Sequence, residues 1–260
     1  MNDIAVSSWL ELQEQLFGDS WEETLGRHRT SYAYRGRGDA RDDLRTSLAR
    51  LGGEARELER HIVRAFRKYA AIDEVPVDSI WNWLALGQHH GLPTRMLDWT
   101  FSPYVALHFV TADLAQFDRD GVVWCVDYTQ VHELLPERLK AVLEREGADV
   151  FTTELLAGEI DNAAAMEALG EFALFVEPPS FDERIVNQYA LFSLLSRADA
   201  SLDEWLDSRP GLWRRIVVPA ELKWEVRDKL DLANVTERVL FPGLDGLSRW
   251  LKRYYLPRGR

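Results

Sequence analysis

The chain contains one cysteine, Cys125, which excludes an internal disulfide and with it the small disulfide-stapled secreted folds. It lies within the apolar run Val122-Val123-Trp124-Cys125-Val126 and reads as a buried small hydrophobe. A single thiol suits a reducing compartment. No apolar stretch approaches the roughly 20 residues that cross a bilayer, and the opening Met1-Asn2-Asp3-Ile4 lacks the basic and apolar regions of a secretory signal. These absences predict a cytoplasmic protein, bacterial in style, with no membrane partner. Basic charge is also in deficit: 31 Lys and Arg stand against 43 Asp and Glu, a net charge of −12. That balance argues against general affinity for nucleic acid or anionic lipid. The local exception is the run that carries Arg27, Arg29, Arg35, Arg37, Arg41, Arg45 and Arg50. No Pro/Gly/Ser-rich linker and no internal repeat divides the chain, so one domain over residues 1–260 is expected. Its core motifs fall in 31–195, with a C-terminal strand and helices in 213–255 packed on them.

With 46% hydrophobic and 28% charged residues, the chain has the composition of a folded globular domain rather than a disordered one. The ten tryptophans read as core anchors in preference to cofactor stackers. Apolar periodicity predicts helices over 9–16 and 54–71, the second with Leu58, Ile62, Ala65, Phe66 and Tyr69 on one face. A helix over 79–90 stops at Gly91 and Pro93, and Ser102-Pro103 opens another that runs to 112. Strands are expected at 31–34 (stopping at Arg35-Gly36-Arg37-Gly38), 121–128, 172–176, 189–195 and 213–218. A turn or short helix covers 182–187, an acidic helical stretch 131–169, and terminal helices 220–232 and 244–255. With helices foremost in the first half and strands in the second, the reading is α+β: a small split mixed or antiparallel sheet surrounded by helices.

Familiar catalytic signatures are missing. Arg41 stands where the third glycine of a dinucleotide fingerprint would be, and there is no P-loop and no H-E-x-x-H. His89 and His90 are adjacent and point apart on a helix, so no metal site is expected. A Ser102-His89-Asp98 triad lacks the nucleophile elbow that would support it. What stands out is the segment 87–103, which gathers Gln88, His89, His90, Thr94, Arg95, Asp98, Thr100 and Ser102 between two apolar helices. Polar loops on rigid scaffolds are where sites are built. The structural alternative is a core-bridging network in which Arg95 pairs with Asp98 and the histidines cap the preceding helix.

Tyr34-Arg35-Gly36, followed by Gln88-His89-His90-Gly91-Leu92-Pro93-Thr94-Arg95-Met96-Leu97-Asp98-Trp99-Thr100-Phe101-Ser102-Pro103, resembles the FRG-domain family, named for its aromatic-Arg-Gly motif. Met96 replaces the leucine usual there. Arg184-Ile185-Val186-Asn187-Gln188, Leu191-Phe192 and Leu240-Phe241-Pro242-Gly243-Leu244 extend the likeness. The family is bacterial and phage-associated, and largely without an assigned activity.

A second resemblance is to ADP-ribosyltransferases of the arginine-serine-glutamate type, and it implies an NAD site. Arg35 would clamp the pyrophosphate, Ser102 would position the nicotinamide-side ribose, and Tyr34 or Trp99 would stack on the nicotinamide. Gln188 takes the place of the glutamate, while Gln88, His89, Arg95, Asp98 and Thr100 shape the pocket. Since glutamine carries no charge, either Asp98 or Glu183 supplies the acid, or the site only binds. The expected function is NAD-dependent ADP-ribosyl transfer or NAD hydrolysis by a toxin or phage-defence effector. The alternative is a non-catalytic module that recognises a nucleotide-like ligand or a protein partner. A third reading, an RNA-acting effector using arginines 27–50, runs against the net charge.

Overall fold

A computed structural model of the chain describes residues 2–70, 75 and 77–257. The strands are β1 (Asp3–Ala5), β2 (Trp21–Glu22), β3 (Arg27–His28), β4 (Tyr32–Arg37), β5 (Met96–Thr100), β6 (Gly121–Asp127), β7 (Phe151–Thr152), β8 (Ala173–Glu177), β9 (Ala190–Leu195) and β10 (Trp213–Val218). β2 and β3 form a hairpin; the other eight make one mixed sheet in the order β1-β10-β6-β4-β5-β9-β8-β7. The fold is α+β, with a larger sheet than the small one expected. The sheet is nonetheless split. β4 pairs with β6 along six residues and β5 with β9 along five, but β4 and β5 meet only at Tyr34 and Thr100. Two four-stranded halves are therefore joined by a single residue pair.

The packing follows the split. β6 is apolar on both faces because both are covered, as a central strand requires. On one face Val122, Trp124 and Val126 join Leu97, Trp99, Phe175, Trp205 and Leu206 in a cluster that runs under both halves. The opposite face has two separate clusters. One packs Tyr34, Val123 and Cys125 against Leu12, Ala106, Val110 and Val226. The other packs Met96, Leu174, Phe192 and Leu194 against Trp83, Leu84, Leu139 and Val142. On that face the helical cover parts where β4 and β5 diverge. Gly36 is required there: a Cβ would sit 1.8 Å from the Ala106 carbonyl oxygen, so only glycine lets the helix Pro103–Val110 lie this close to β4.

Helix ends follow the expected chemistry. Ser79 caps Ile80–His89 and Ser102 caps Pro103–Val110, each side chain accepting a backbone N–H. The helix Ala55–Tyr69 answers the 54–71 periodicity, whose last residue, Ala71, lies outside the described residues. Four expectations are corrected. β4 does not stop at Arg35 but continues through it to Arg37, because β6 offers a full ladder of partners. The polar run 88–102 is not all loop: 96–100 is a strand, with Asp98 exposed between buried neighbours. The stretch 131–169 is interrupted by β7, which adds to the sheet edge beside β8. Strands β1, β4, β5 and β6 also occupy the first half, against the expected helix-then-strand order. No helix among the described residues is long and apolar enough to cross a membrane.

Arg95 belongs to this core and not to the site, and it does not pair with Asp98. Its guanidinium, 1% exposed, donates to both carboxylate oxygens of the buried Glu59 at 2.6–2.9 Å and to the Ser196 carbonyl at 3.0 Å. His132 is similarly internal. Its Nδ1–H donates to the Asp149 carbonyl at 2.8 Å, and its Nε2 accepts the Phe175 N–H at 2.9 Å. Burial pushes its pKa down to about 4, and burial beside Arg227 pushes that of His108 to about 3.

Two outcomes follow. Arg95→Met strands the buried Glu59 carboxylate and lowers unfolding free energy by about 3–5 kcal/mol in urea titration, whereas adding Glu59→Leu restores most of the loss. Because the unfolded chain protonates both histidines near 6.5 and the folded chain does not, stability is full above that pH. It declines as pH falls below it, at up to about 1.4 kcal/mol per pH unit for each residue. Urea midpoints near pH 7.5 and 5.5 check the sign.

Candidate functional site

Where β4 and β5 part, a cavity of ≈ 260 Å³ opens between Tyr34-Arg35-Gly36-Arg37, Asp98-Trp99-Thr100 and the segment from Arg184 to Phe192. Continued antiparallel pairing would set Gly36 opposite Asp98. Instead, the Arg35 side chain reaches across, and its Nη1 donates to the Asp98 carbonyl oxygen. The same Nη1 lies 3.9 Å from the Asp98 carboxylate. Arg35 Nε is buried with no partner. Burial, offset in part by Asp98, lowers the Arg35 pKa to about 10, so the group stays cationic at neutral pH.

A second guanidinium faces the cavity from the other wall. Arg184, at the start of the helix Glu183–Asn187, donates from Nη1 to the His89 carbonyl at 3.1 Å and stacks 5.1 Å over Phe241. Its Nε is also buried without a partner. Asp182 positions it: one carboxylate oxygen accepts the Arg184 and Ile185 N–H groups, and the other bonds His89 Nε2 at 2.7 Å. Burial pushes the Asp182 carboxyl upward, but the His89 and backbone hydrogen bonds outweigh it and hold its pKa below the usual range. Gln88 fixes the opposite carboxylate. Its Nε2 donates to Asp98 Oδ2 at 2.8 Å while its Oε1 accepts from Thr94 Oγ1. An adjoining cavity of ≈ 480 Å³, bounded by Ser47 and Gln88 to Leu92, shares His89, Asp98 and Arg184. Together the two offer an elongated trough.

Of the residues expected from sequence, Tyr34, Arg35, His89, Asp98, Trp99, Thr100 and Gln188 line the first cavity, and Gln88 lines the second. Several have other tasks. The Tyr34 ring is core: its side chain is 1% exposed overall, with the hydroxyl near Thr30 Oγ1 and the Leu16 carbonyl. Trp99 donates to Ser193 Oγ at 2.8 Å and packs edge-on against Phe175. Neither ring is free to stack on a ligand. Ser102 is not in the cavity lining; its hydroxyl caps a helix at Val105 N. Gln188 donates to the Leu240 carbonyl at 2.8 Å, and its own carbonyl accepts from Thr100 Oγ1 at 2.7 Å. With His89 held by Asp182 and Ser102 by its helix, no Ser-His-Asp triad assembles. Sequence reasoning had not given Arg184 or Phe109 a ligand role. The half-buried Phe109 is the aromatic left to face a ligand. The signal for Arg184 was its place two residues after a helix-capping Asp.

The arginine-rich run is largely neutralised in place. Arg37 pairs with Asp42, Arg41 with Asp39, and both Arg45 and Arg50 with Asp43. Arg27 and Arg29 are exposed and lie outside these pairs. Among the described residues no group of three or more His, Cys, Asp or Glu side chains is placed to hold a metal ion.

No curated protein and no solved structure matches the chain. Residues 30–119 match the model of the FRG domain. That segment contains Tyr34-Arg35-Gly36 on β4, the strand β5 with Asp98 and the helix packed on Gly36, which together form one wall and the floor of the cavity; Arg184 and Gln188 lie beyond it. The segment 30–119 of this chain is an FRG domain.

Proposed function

We propose that the trough between β4 and β5 binds an anionic nucleotide-like ligand, NAD foremost, and that the protein carries out ADP-ribosyl transfer or NAD hydrolysis there. The observation that carries the reading is the pair Arg35 and Arg184. Each is a guanidinium with a buried, unpartnered Nε and a carbonyl rather than a carboxylate as its hydrogen-bond acceptor. A buried donor without a partner costs about 1–3 kcal/mol, and two such cations across one cavity suit the two charges of a pyrophosphate. At ≈ 260 Å³ the first cavity takes only part of a dinucleotide, and the adjoining space takes the rest.

Asp98 supplies the acid that Gln188 lacks. Its carboxylate is oriented by Gln88 and lies against Arg35. In the proposed step the bond between ribose C1′ and the nicotinamide nitrogen breaks, and nicotinamide leaves with the electron pair. The Asp98 carboxylate stabilises the oxocarbenium-like centre and takes the proton of the attacking water or target side chain. Such an activity fits an effector of the toxin or phage-defence kind. A binding module without chemistry is the second reading, favoured by the Gln188 amide being committed to Leu240.

Isothermal titration with NAD, followed by assay of released nicotinamide, tests this. Saturable binding is expected, weakened roughly 10- to 100-fold in Arg35→Ala and in Arg184→Ala, the scale of one charge-assisted hydrogen bond. Asp98→Asn retains binding and loses nicotinamide release. Binding without release in the unaltered protein selects the recognition module. No heat at millimolar NAD overturns both NAD readings.

A further inference from the structure

The helix Leu244–Tyr254 turns its apolar residues away from the protein that holds it. Its inward anchor is an ion pair: the buried Arg253 donates to the Asp231 and Glu237 carboxylates at 2.6–2.8 Å. Beside it Gly246 is buried, and a Cβ there would sit 1.8 Å from the Phe241 carbonyl oxygen, so glycine is what lets the helix lie against the preceding turn. The Arg238 guanidinium lies 4.7 Å over the half-buried Trp250 ring. Outward, by contrast, Leu244, Leu247, Leu251, Tyr254, Tyr255 and Leu256 are 36–79% exposed. The first four keep the alternating three- and four-residue spacing of a helix–helix seam. A helix that serves only its own domain points such a stripe at the core. One held by an ion pair, with leucines and tyrosines in solvent, presents a surface for association.

Two charges flank the seam. Asp245 lies in the first turn and Lys252 in the last. Seven residues apart, they are separated by about two turns and stand on the same side of the stripe. Both are exposed, and neither has a partner of opposite charge among the described residues. In two copies related by a two-fold axis through the middle of the seam, the helices run antiparallel with matching flanks on one side. Asp245 of each copy then stands opposite Lys252 of the other. The surface is self-complementary, as an isologous contact requires.

We infer that this helix is the interface of a symmetric homodimer, in which the two seams interdigitate antiparallel and Asp245 of each copy pairs with Lys252 of the other. The 11-residue helix supplies a seam of about 16 Å. Such a contact is at the small end of specific interfaces, so association is reversible, with a dissociation constant on the order of 10 μM. The inference is independent of the NAD reading.

Sedimentation velocity of the whole protein over a concentration series tests it, with circular dichroism on every variant to confirm an unchanged fold. The molar mass is expected to rise with concentration toward twice that of the 30.0 kDa chain. The Leu247→Glu, Leu251→Glu double variant, altered only at exposed positions, is expected to stay monomeric throughout. Asp245→Lys and Lys252→Glu each weaken association at least about tenfold by setting like charges opposite one another, and combining the two restores it. A monomer at every concentration up to about 1 mM, a dimer that survives the double leucine variant, or a combined charge swap that stays as weak as its single members would each overturn the inference. So would a monomer that cosediments with phosphatidylserine vesicles through this helix, which would make a lipid surface the occupant.

Discussion

The organising contact of this molecule is the Arg35 guanidinium donating to the Asp98 carbonyl across a ladder that has come apart. A carbonyl inside a sheet that loses its strand partner must find another donor. Here a side chain supplies it, and the sheet can remain open without an orphaned acceptor. The opening requires the single Tyr34–Thr100 pair to hold two halves together, and Gly36 to admit the helix Pro103–Val110 against β4. The Tyr-Arg-Gly motif therefore reads as three linked demands: an aromatic in the core, a cation in the gap, and no side chain under the helix.

That geometry explains why a strongly acidic protein carries a cationic trough. The arginines between Arg37 and Arg50 are matched by Asp39, Asp42 and Asp43, whereas Arg35 and Arg184 donate to carbonyls, with the Asp98 carboxylate 3.9 Å from Arg35. Among the described residues, Asp98 is the one carboxylate lining the first cavity. Its carboxylate accepts from Gln88 Nε2 and lies 3.9 Å from Arg35. The positioning residues Gln88, Asp182 and Thr100 act through others: each bonds a group that itself faces the cavity.

Much of this was legible in the sequence. The Ser102 cap, the helix expected over 79–90 and the strands expected at 121–128 and 213–218 follow local rules of capping and apolar patterning. The gathering of Arg35, His89, Asp98 and Thr100 at one site was also readable, from motif and order. What was hidden depended on partners distant in the chain. Arg95 looks like a site residue until Glu59, 36 positions away, is seen to neutralise it. Gln188 looks like a substituted catalytic position until Leu240 is seen to accept its amide. Tyr34 and Trp99 look like stacking platforms, but burial takes both rings. β5 was obscured because Asp98 breaks its apolar run, and it breaks it because the strand borders the opening.

The most direct test of the account is a crystal structure of the protein soaked with ADP-ribose. The account predicts the pyrophosphate between Arg35 and Arg184, with the free ribose end beside Asp98 and the β4–β5 opening unchanged. Density for the ligand away from the two guanidiniums, or a β4–β5 ladder that closes over Arg35, would contradict it.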